Sequence, residues 1–149
     1  MVTTVGTEAT IQDLVQNLLY LEHDAIAAYE TTIDRLNNAQ YKQQIASFRE
    51  DHLRHVQELR KMAGMLGIES PTEGDAKQWL TTGKVALAGL MGDGAVLQAM
   101  RSNEEDTVAA YERASEHADA APESRRFFAA FAADERRHRE WMNQTSGNA

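Results

Sequence analysis

Three observations predict an all-α protein, a four-helix bundle. Apolar residues recur at spacings of three and four along four stretches of the chain, which places them on one face of a helix. Only 2 Pro and 9 Gly occur among the 149 residues, and these two types most disfavour a helix interior. The connections between the stretches are short, long and short, as in two antiparallel helical hairpins joined by a long crossover. The length is that of a single domain, residues 1–149.

The predicted helices begin and end at residues that favour helix ends. They lie at about residues 10–36, 39–66, 95–118 and 122–143, with the crossover at 67–94. Thr10 precedes Asp13 by three residues, which is the spacing of a capping pair. Asn37 and Asn38 favour a turn. Gly67 favours the left-handed conformation that ends many helices.

The crossover differs in composition from the helices. Pro71 prevents a helix from continuing through its first part. Residues 83–92 are small and apolar, and could either close the end of the bundle or form the contact of a homodimer. Pro122 suits the first turn of the last helix. A connection of about 26 residues can run the length of a ~40 Å helix, which makes the second and third helices parallel.

Composition and charge exclude several classes of function. The chain has no cysteine, so it has no disulfides, thiolate metal sites or cysteine nucleophiles. Its net charge of −8 disfavours binding to nucleic acid or anionic membranes and favours cations. No apolar run approaches the ~18 residues of a membrane span. Residues 1–9 are polar, are expected to fray and lack the pattern of a signal peptide, so the expected location is the cytoplasm.

Ionisable residues fill the gaps in all four apolar stripes. They are Glu22 in the first helix, His52 and His55 in the second, Glu104 in the third, and Glu135 and His138 in the fourth. Burying six such groups without partners would cost several kcal/mol each, whereas a whole domain is stable by only ~5–15 kcal/mol. Proton sharing among the six could compensate, but a bound cation neutralises the carboxylates and engages the imidazoles together.

The six residues are predicted to lie at one height in the bundle. Both glutamates of the first and third helices lie about 15–17 residues before a hairpin turn, and the other four residues lie about 14–17 residues after one. Residues three apart share a helix face, so Glu135 and His138 can bind one centre together, as can His52 and His55.

The two hairpins resemble each other in sequence. Residues 22–30 match residues 104–112 at an offset of 82, and residues 51–55 match residues 134–138 at an offset of 83. Two matches in register on separate helices indicate a duplicated helical hairpin.

These motifs resemble the ferritin-like superfamily, especially rubrerythrin-type and bacterioferritin-type domains, over about residues 10–145. Such proteins carry a Glu on helices one and three and a Glu-x-x-His on helices two and four, around a pair of irons. They also often place a Tyr seven residues after the first Glu, which fits Tyr29 and Tyr111. The resemblance implies two bound irons. It also implies a bridging Glu135, terminal Glu22 and Glu104, and one metal each on His55 and His138. The two tyrosines are expected either to pack as core aromatics or to hydrogen-bond to a ligand carboxylate.

The second helix departs from the family pattern, because His52 stands where the family has its second bridging glutamate. A histidine that binds one metal through one nitrogen would couple two metals less tightly. The site could hold two irons asymmetrically, a different metal, or one metal only. Three Glu and three His suit iron, manganese or zinc better than calcium or magnesium, which prefer oxygen ligands.

Three functions are consistent with this pattern. The first is a di-iron protein that reacts with O₂ or peroxide, as a ferroxidase or a peroxide-reducing oxidoreductase. With no cysteine for a rubredoxin-type centre, its electron donor would be a separate partner. The second is a non-catalytic bundle that is stapled by its metal or carries it for stress protection. The third is a metal-free bundle that acts in protein interaction.

Overall fold

The computed structural model describes residues 3–72 and 90–148, and within these ranges it contains helices and no strands. The four helices are α1 (Ile11–Arg35), α2 (Ala39–Leu66), α3 (Asp93–Ser115) and α4 (Pro122–Ser146). The predicted all-α four-helix bundle is confirmed. In the described ranges, every helix is too short or too polar to cross a membrane.

Each helix packs against two others. Helix α1 contacts α2 and α3, and α4 contacts α3 and α2. A short connection at residues 36–38 joins α1 to α2, and another at residues 116–121 joins α3 to α4, so each forms an antiparallel pair. The long connection lies between α2 and α3, and its residues 73–89 fall outside the described ranges. Most of the apolar segment 83–92 lies outside the described ranges. The expectation that it closes the bundle end or forms a homodimer contact therefore stays a prediction.

The predicted helix ends are formed by the expected residues. The Thr10 hydroxyl oxygen accepts a hydrogen bond of 3.2 Å from the backbone N–H of Asp13, which satisfies a donor at the start of α1. The Asn38 side chain caps the start of α2 in the same way. Gly67 ends α2 in the left-handed region, with φ of 72°. Pro122 occupies the first turn of α4.

Helices α3 and α4 differ from their predicted lengths. Helix α3 starts at Asp93, whose carboxylate accepts hydrogen bonds of 2.8 and 3.0 Å from the backbone N–H groups of Asn37 and Asn38. This contact joins the start of α3 to the α1–α2 turn, a partnership across the chain that sequence spacing does not reveal. Helix α4 continues to Ser146, whose hydroxyl bonds the Gln98 side chain at 3.1 Å.

The expectation that residues 1–9 fray is wrong for the described part of that segment. Val5 is only 3% exposed, and the Arg113 guanidinium donates hydrogen bonds to the carbonyl oxygens of Thr3 and Val5. Gly6 has φ of 105°, and a Cβ there would clash with the Arg113 side chain. The segment is therefore anchored against α3 by a conformation that requires glycine.

Two apolar clusters divide the bundle interior. One joins the first half of α1 to the second half of α2, the end of α3 and the start of α4. The other joins the end of α1, the start of α2, the start of α3 and the end of α4. The ionisable residues predicted to face inward lie on the helices between these clusters. The fold therefore encloses a polar layer between two apolar cores.

Candidate metal centre

The bundle brings the six ionisable residues together in its interior. Each is at most 1% exposed. They are Glu22, His52, His55, Glu104, Glu135 and His138. One or two of them come from every helix, so the layer exists only when all four helices are packed.

The layer contains two overlapping groups of side chains that could hold a metal ion. The first group is Glu22, His52, His55 and Glu135. The second group is His52, Glu104, Glu135 and His138. Within each group the candidate ligand atoms lie within 4.8 Å of one another. His52 and Glu135 belong to both groups, so they lie between two neighbouring positions. The position inside the first group is here called the first subsite, and the position inside the second group is called the second subsite.

The first subsite surrounds the carboxylate of Glu22. Its Oε2 lies 2.8 Å from Nδ1 of His52, and its Oε1 lies 3.1 Å from Nδ1 of His55. The same Nδ1 of His55 lies 3.4 Å from Oε1 of Glu135. Two imidazole nitrogens and two carboxylates thus face one position.

The second subsite has the same composition of nitrogen and oxygen atoms. Nε2 of His52 lies 3.5 Å from Oε1 of Glu104 and 3.4 Å from Oε2 of Glu135. Nδ1 of His138 lies 3.5 Å from Oε2 of Glu135. The two oxygens of Glu135 therefore face different subsites.

Two atoms in the layer have no hydrogen-bond partner among the described residues, namely Nε2 of His52 and Oε1 of Glu135. A buried polar atom without a partner costs roughly 1–3 kcal/mol. Both atoms point to positions where a metal ion could accept their lone pairs. The donor set, three imidazoles and three carboxylates, also fits a transition metal.

The two predicted tyrosines bind carboxylates of the opposite hairpin. The Tyr111 hydroxyl on α3 donates a hydrogen bond of 2.6 Å to Oε1 of Glu22 on α1. The Tyr29 hydroxyl on α1 donates to Oε1 of Glu104 on α3. Burial and the neighbouring carboxylates raise the pKa of both tyrosines well above the usual value. Both hydroxyls therefore stay protonated and orient the carboxylates that they contact.

Two aspartates hold the outer nitrogens of two histidines. Nε2 of His55 lies 2.8 Å from Oδ2 of Asp134, and Nε2 of His138 lies 2.7 Å from Oδ2 of Asp51. This arrangement turns Nδ1 of each ring into the layer, and it would fix the tautomer of each ring when a metal binds Nδ1. From the sequence, both aspartates flank the apolar faces of their helices, where they are expected to be either solvated or in contact with a ligand. In the sequence, each aspartate lies four residues before one of these two histidines. In the fold, each aspartate instead contacts the histidine of the other helix.

Two arginines close this outer side. The Arg137 guanidinium lies 2.8 Å from Asp51, and the Arg54 guanidinium lies 2.9 Å from Asp134. Arg54 also contacts Asp51 at 3.1 Å. The positive charges keep both aspartates ionised as acceptors for the histidines.

Thr107 is a further polar residue of the layer, and it is 3% exposed. Its hydroxyl oxygen lies 3.0 Å from Oε2 of Glu135 and 3.1 Å from Oε2 of Glu104. The position that matches it in the sequence repeat is Ala25. The second subsite therefore has a hydroxyl that the first lacks, and the two subsites are not equivalent.

Aromatic rings cover the histidines. Phe48 stacks on His138 with ring centroids 4.3 Å apart, and Phe131 stacks on His55 at 4.1 Å. Each phenylalanine lies four residues before an ionisable residue of the layer on its own helix. The rings replace water beside the imidazoles, which strengthens the electrostatic interactions inside.

At most positions of the layer, neighbouring opposite charges change the pKa of the ionisable group more than burial does. Burial disfavours the Glu22 carboxylate, but the charges and hydrogen bonds of His52 and His55 lower its pKa to about 2. Burial likewise disfavours protonation of His55, but the Glu22 charge and neighbouring carboxylates raise its pKa to about 11. Glu135 differs, because burial and the Glu104 charge raise its pKa. Glu135 is therefore the carboxyl group that most readily holds a proton without metal.

The metal-free protein is expected to lose stability as the pH falls from about 4.5 to about 2. The pKa of Glu22 is 4.5 in its ordinary state and about 2 in the fold, so its contribution is present above pH 4.5 and is lost through that window. The histidines do not contribute there, since they are protonated in both states. The expected loss from Glu22 is on the order of 3 kcal/mol.

Urea unfolding with a chelator present, repeated at several pH values through this window, measures the loss. The Glu22→Gln variant is the control and should show a flatter dependence. Equal slopes for the two proteins would mean that Glu22 is not the group that titrates.

A family model described as "Domain of unknown function (DUF2383)" matches residues 9–117. The matched range contains α1, α2 and α3, with Glu22, His52, His55 and Glu104, whereas Glu135 and His138 follow it. No curated protein and no solved structure matches the chain.

Proposed function

This chain belongs to the DUF2383 family, and we propose that its layer of three glutamates and three histidines binds two redox-active metal ions. The observation that carries this proposal is the pair of overlapping four-residue groups in which Nε2 of His52 and Oε1 of Glu135 have no hydrogen-bond partner among the described residues. Binding would satisfy both atoms and neutralise carboxylates that are otherwise held in a dry interior.

Iron is the metal we propose first, with manganese and zinc as the alternatives. Mixed imidazole and carboxylate donors suit these ions, whereas calcium and magnesium favour oxygen donors. The resemblance of the six positions to those of di-iron ferritin-like proteins supports the same choice.

The activity we propose is the oxidation of bound ferrous ions by O₂ or peroxide. Two bound ferrous ions would supply two electrons, which with two protons reduce hydrogen peroxide to two water molecules or O₂ to hydrogen peroxide. The reducing equivalents that restore the ferrous state would come from a separate donor.

The protein's own residues would prepare and protect this centre. Asp51 and Asp134 keep His138 and His55 turned inward, and the ring of Tyr29 lies 4.7 Å from that of His52. Such outer contacts commonly change metal affinity or activity by 10–100-fold. The Tyr111 hydroxyl holds Glu22 in place.

A metal-free structural role is the second candidate, and one observation favours it. The ionised glutamates and protonated histidines of the layer can neutralise one another, since Glu22 already bonds His52 and His55 at 2.8 and 3.1 Å. Such a network could hold the bundle together without an ion. The third candidate is a non-catalytic role in which a bound metal stabilises the bundle.

Anaerobic titration of the stripped protein with Fe(II), followed by O₂ or peroxide, tests the proposal. We expect two iron equivalents per chain, consumption of the oxidant and formation of ferric absorbance in the protein. The surface variant Glu140→Gln should behave as the wild type, since Glu140 is exposed on the same helix as Glu135. Tight binding of zinc without iron oxidation would favour the stapled bundle, and no binding of either metal would favour the metal-free one.

A further inference from the structure

The three histidines of the layer are oriented in two different ways. His55 and His138 each give Nε2 to an aspartate outside the layer, at 2.8 and 2.7 Å. Each therefore has only Nδ1 available to the interior, as expected of a terminal metal ligand.

His52 instead turns both ring nitrogens towards carboxylates of the layer. Nδ1 lies 2.8 Å from Oε2 of Glu22, in the first subsite. Nε2 lies 3.5 Å from Oε1 of Glu104, in the second subsite, and has no hydrogen-bond partner among the described residues. The imidazole thus lies between the two subsites, with Nδ1 facing the first subsite and Nε2 facing the second.

We propose that His52 bridges the two metal ions through both nitrogens, as an imidazolate. This inference rests on the proposed function, because it requires both subsites to bind metal. Nδ1 would bind the ion beside Glu22 and His55, and Nε2 would bind the ion beside Glu104 and His138. Each ring nitrogen would exchange its proton for an ion, so the two protons of an imidazolium, or the single proton of a neutral ring, leave to solvent.

Charge balance supports the bridge. Two divalent ions bring four positive charges into a layer in which each of the six residues is at most 1% exposed. The three glutamates supply three negative charges, and an imidazolate supplies the fourth. A neutral His52 would leave one positive charge uncompensated in the interior, which is costly where water is excluded.

The bridge also explains how a histidine can stand where a ferritin-like protein has a bridging glutamate. A glutamate can reach two ions through the two oxygens of one carboxylate, and Glu135 turns Oε1 towards His55 and Oε2 towards His138. An imidazole reaches two ions from opposite sides of its ring. The ions would then be on the order of 6 Å apart, given metal–nitrogen bonds of ~2.0–2.1 Å on each side, rather than ~3.5–4 Å.

The test is the structure of the full chain loaded anaerobically with Zn(II), with each ion located by anomalous scattering at the zinc edge. We expect two ions about 6 Å apart on either side of the His52 ring. In the His52→Glu variant, which provides a carboxylate, we expect the separation to fall to about 4 Å. The His23→Gln variant, which changes a histidine outside the layer, should keep the wild-type separation.

The outcomes separate this inference from the proposed function. Two ions about 4 Å apart, with only one bonded to His52, would overturn the bridge and leave the metal centre standing. A single zinc ion that fills one subsite would overturn both the bridge and the proposal that two ions bind. If neither Zn(II) nor Fe(II) binds in solution titrations of the wild type, both proposals are wrong. Since the wild-type separation decides the question, a variant that fails to fold does not prevent the test.

Discussion

Replacing Glu135 with glutamine is expected to abolish metal binding at both subsites. Its Oε1 faces His55 at 3.4 Å and its Oε2 faces His138 at 3.5 Å, so one substitution removes a charged ligand from each. With free metal at 100 times the dissociation constant, binding stabilises a fold by about 2.7 kcal/mol per site. The variant should lose this entire metal-dependent increase.

The metal-free variant should remain close to the metal-free wild type in stability. Burial and the Glu104 charge raise the pKa of Glu135, so the neutral side chain of glutamine suits this position when no ion is bound. Melting curves with a chelator and with saturating Zn(II) measure both effects, with Glu140→Gln as the matched surface control. If the variant melts as far below the wild type with a chelator as it does with Zn(II), Glu135 is a structural residue.

Replacing Glu22 with alanine is expected to destabilise the metal-free protein by about 3–5 kcal/mol. The carboxylate is 0% exposed and binds His52, His55 and the Tyr111 hydroxyl at 2.8, 3.1 and 2.6 Å. Alanine leaves two buried imidazoles and a hydroxyl without this partner, and it also leaves a cavity. The effect is measured by urea unfolding at neutral pH with a chelator.

Glu30→Ala provides the control on the same helix. Glu30 is exposed and lies 3.5 Å from the Arg49 guanidinium, and exposed ion pairs of this kind contribute about 0–1 kcal/mol. A loss of less than 1 kcal/mol in Glu22→Ala would mean that the layer tolerates unpaired histidines. In that case the interior would not need a compensating ion.

The helices and their inward faces could be predicted because they depend on local chemistry. Thr10, Gly67 and Pro122 act at helix ends through contacts within a few residues. The apolar spacing assigned Glu22 and Glu104 to the interior because helix geometry determines which residues share a face. The anchored segment around Val5 was missed, since its burial depends on Arg113, 108 residues away.

Helix periodicity gives the height and face of a residue, but it does not give the rotation of a side chain about its own bonds. The sequence repeat paired Asp51 with Asp134, yet could not reveal that each contacts the histidine of the other helix. The sequence also does not show that His52 has a carboxylate near each of its ring nitrogens, because only the packed bundle brings Glu22 and Glu104 there. Local patterns therefore determined that six ionisable groups meet in the core, whereas the crossing of four helices determined which atoms face one another.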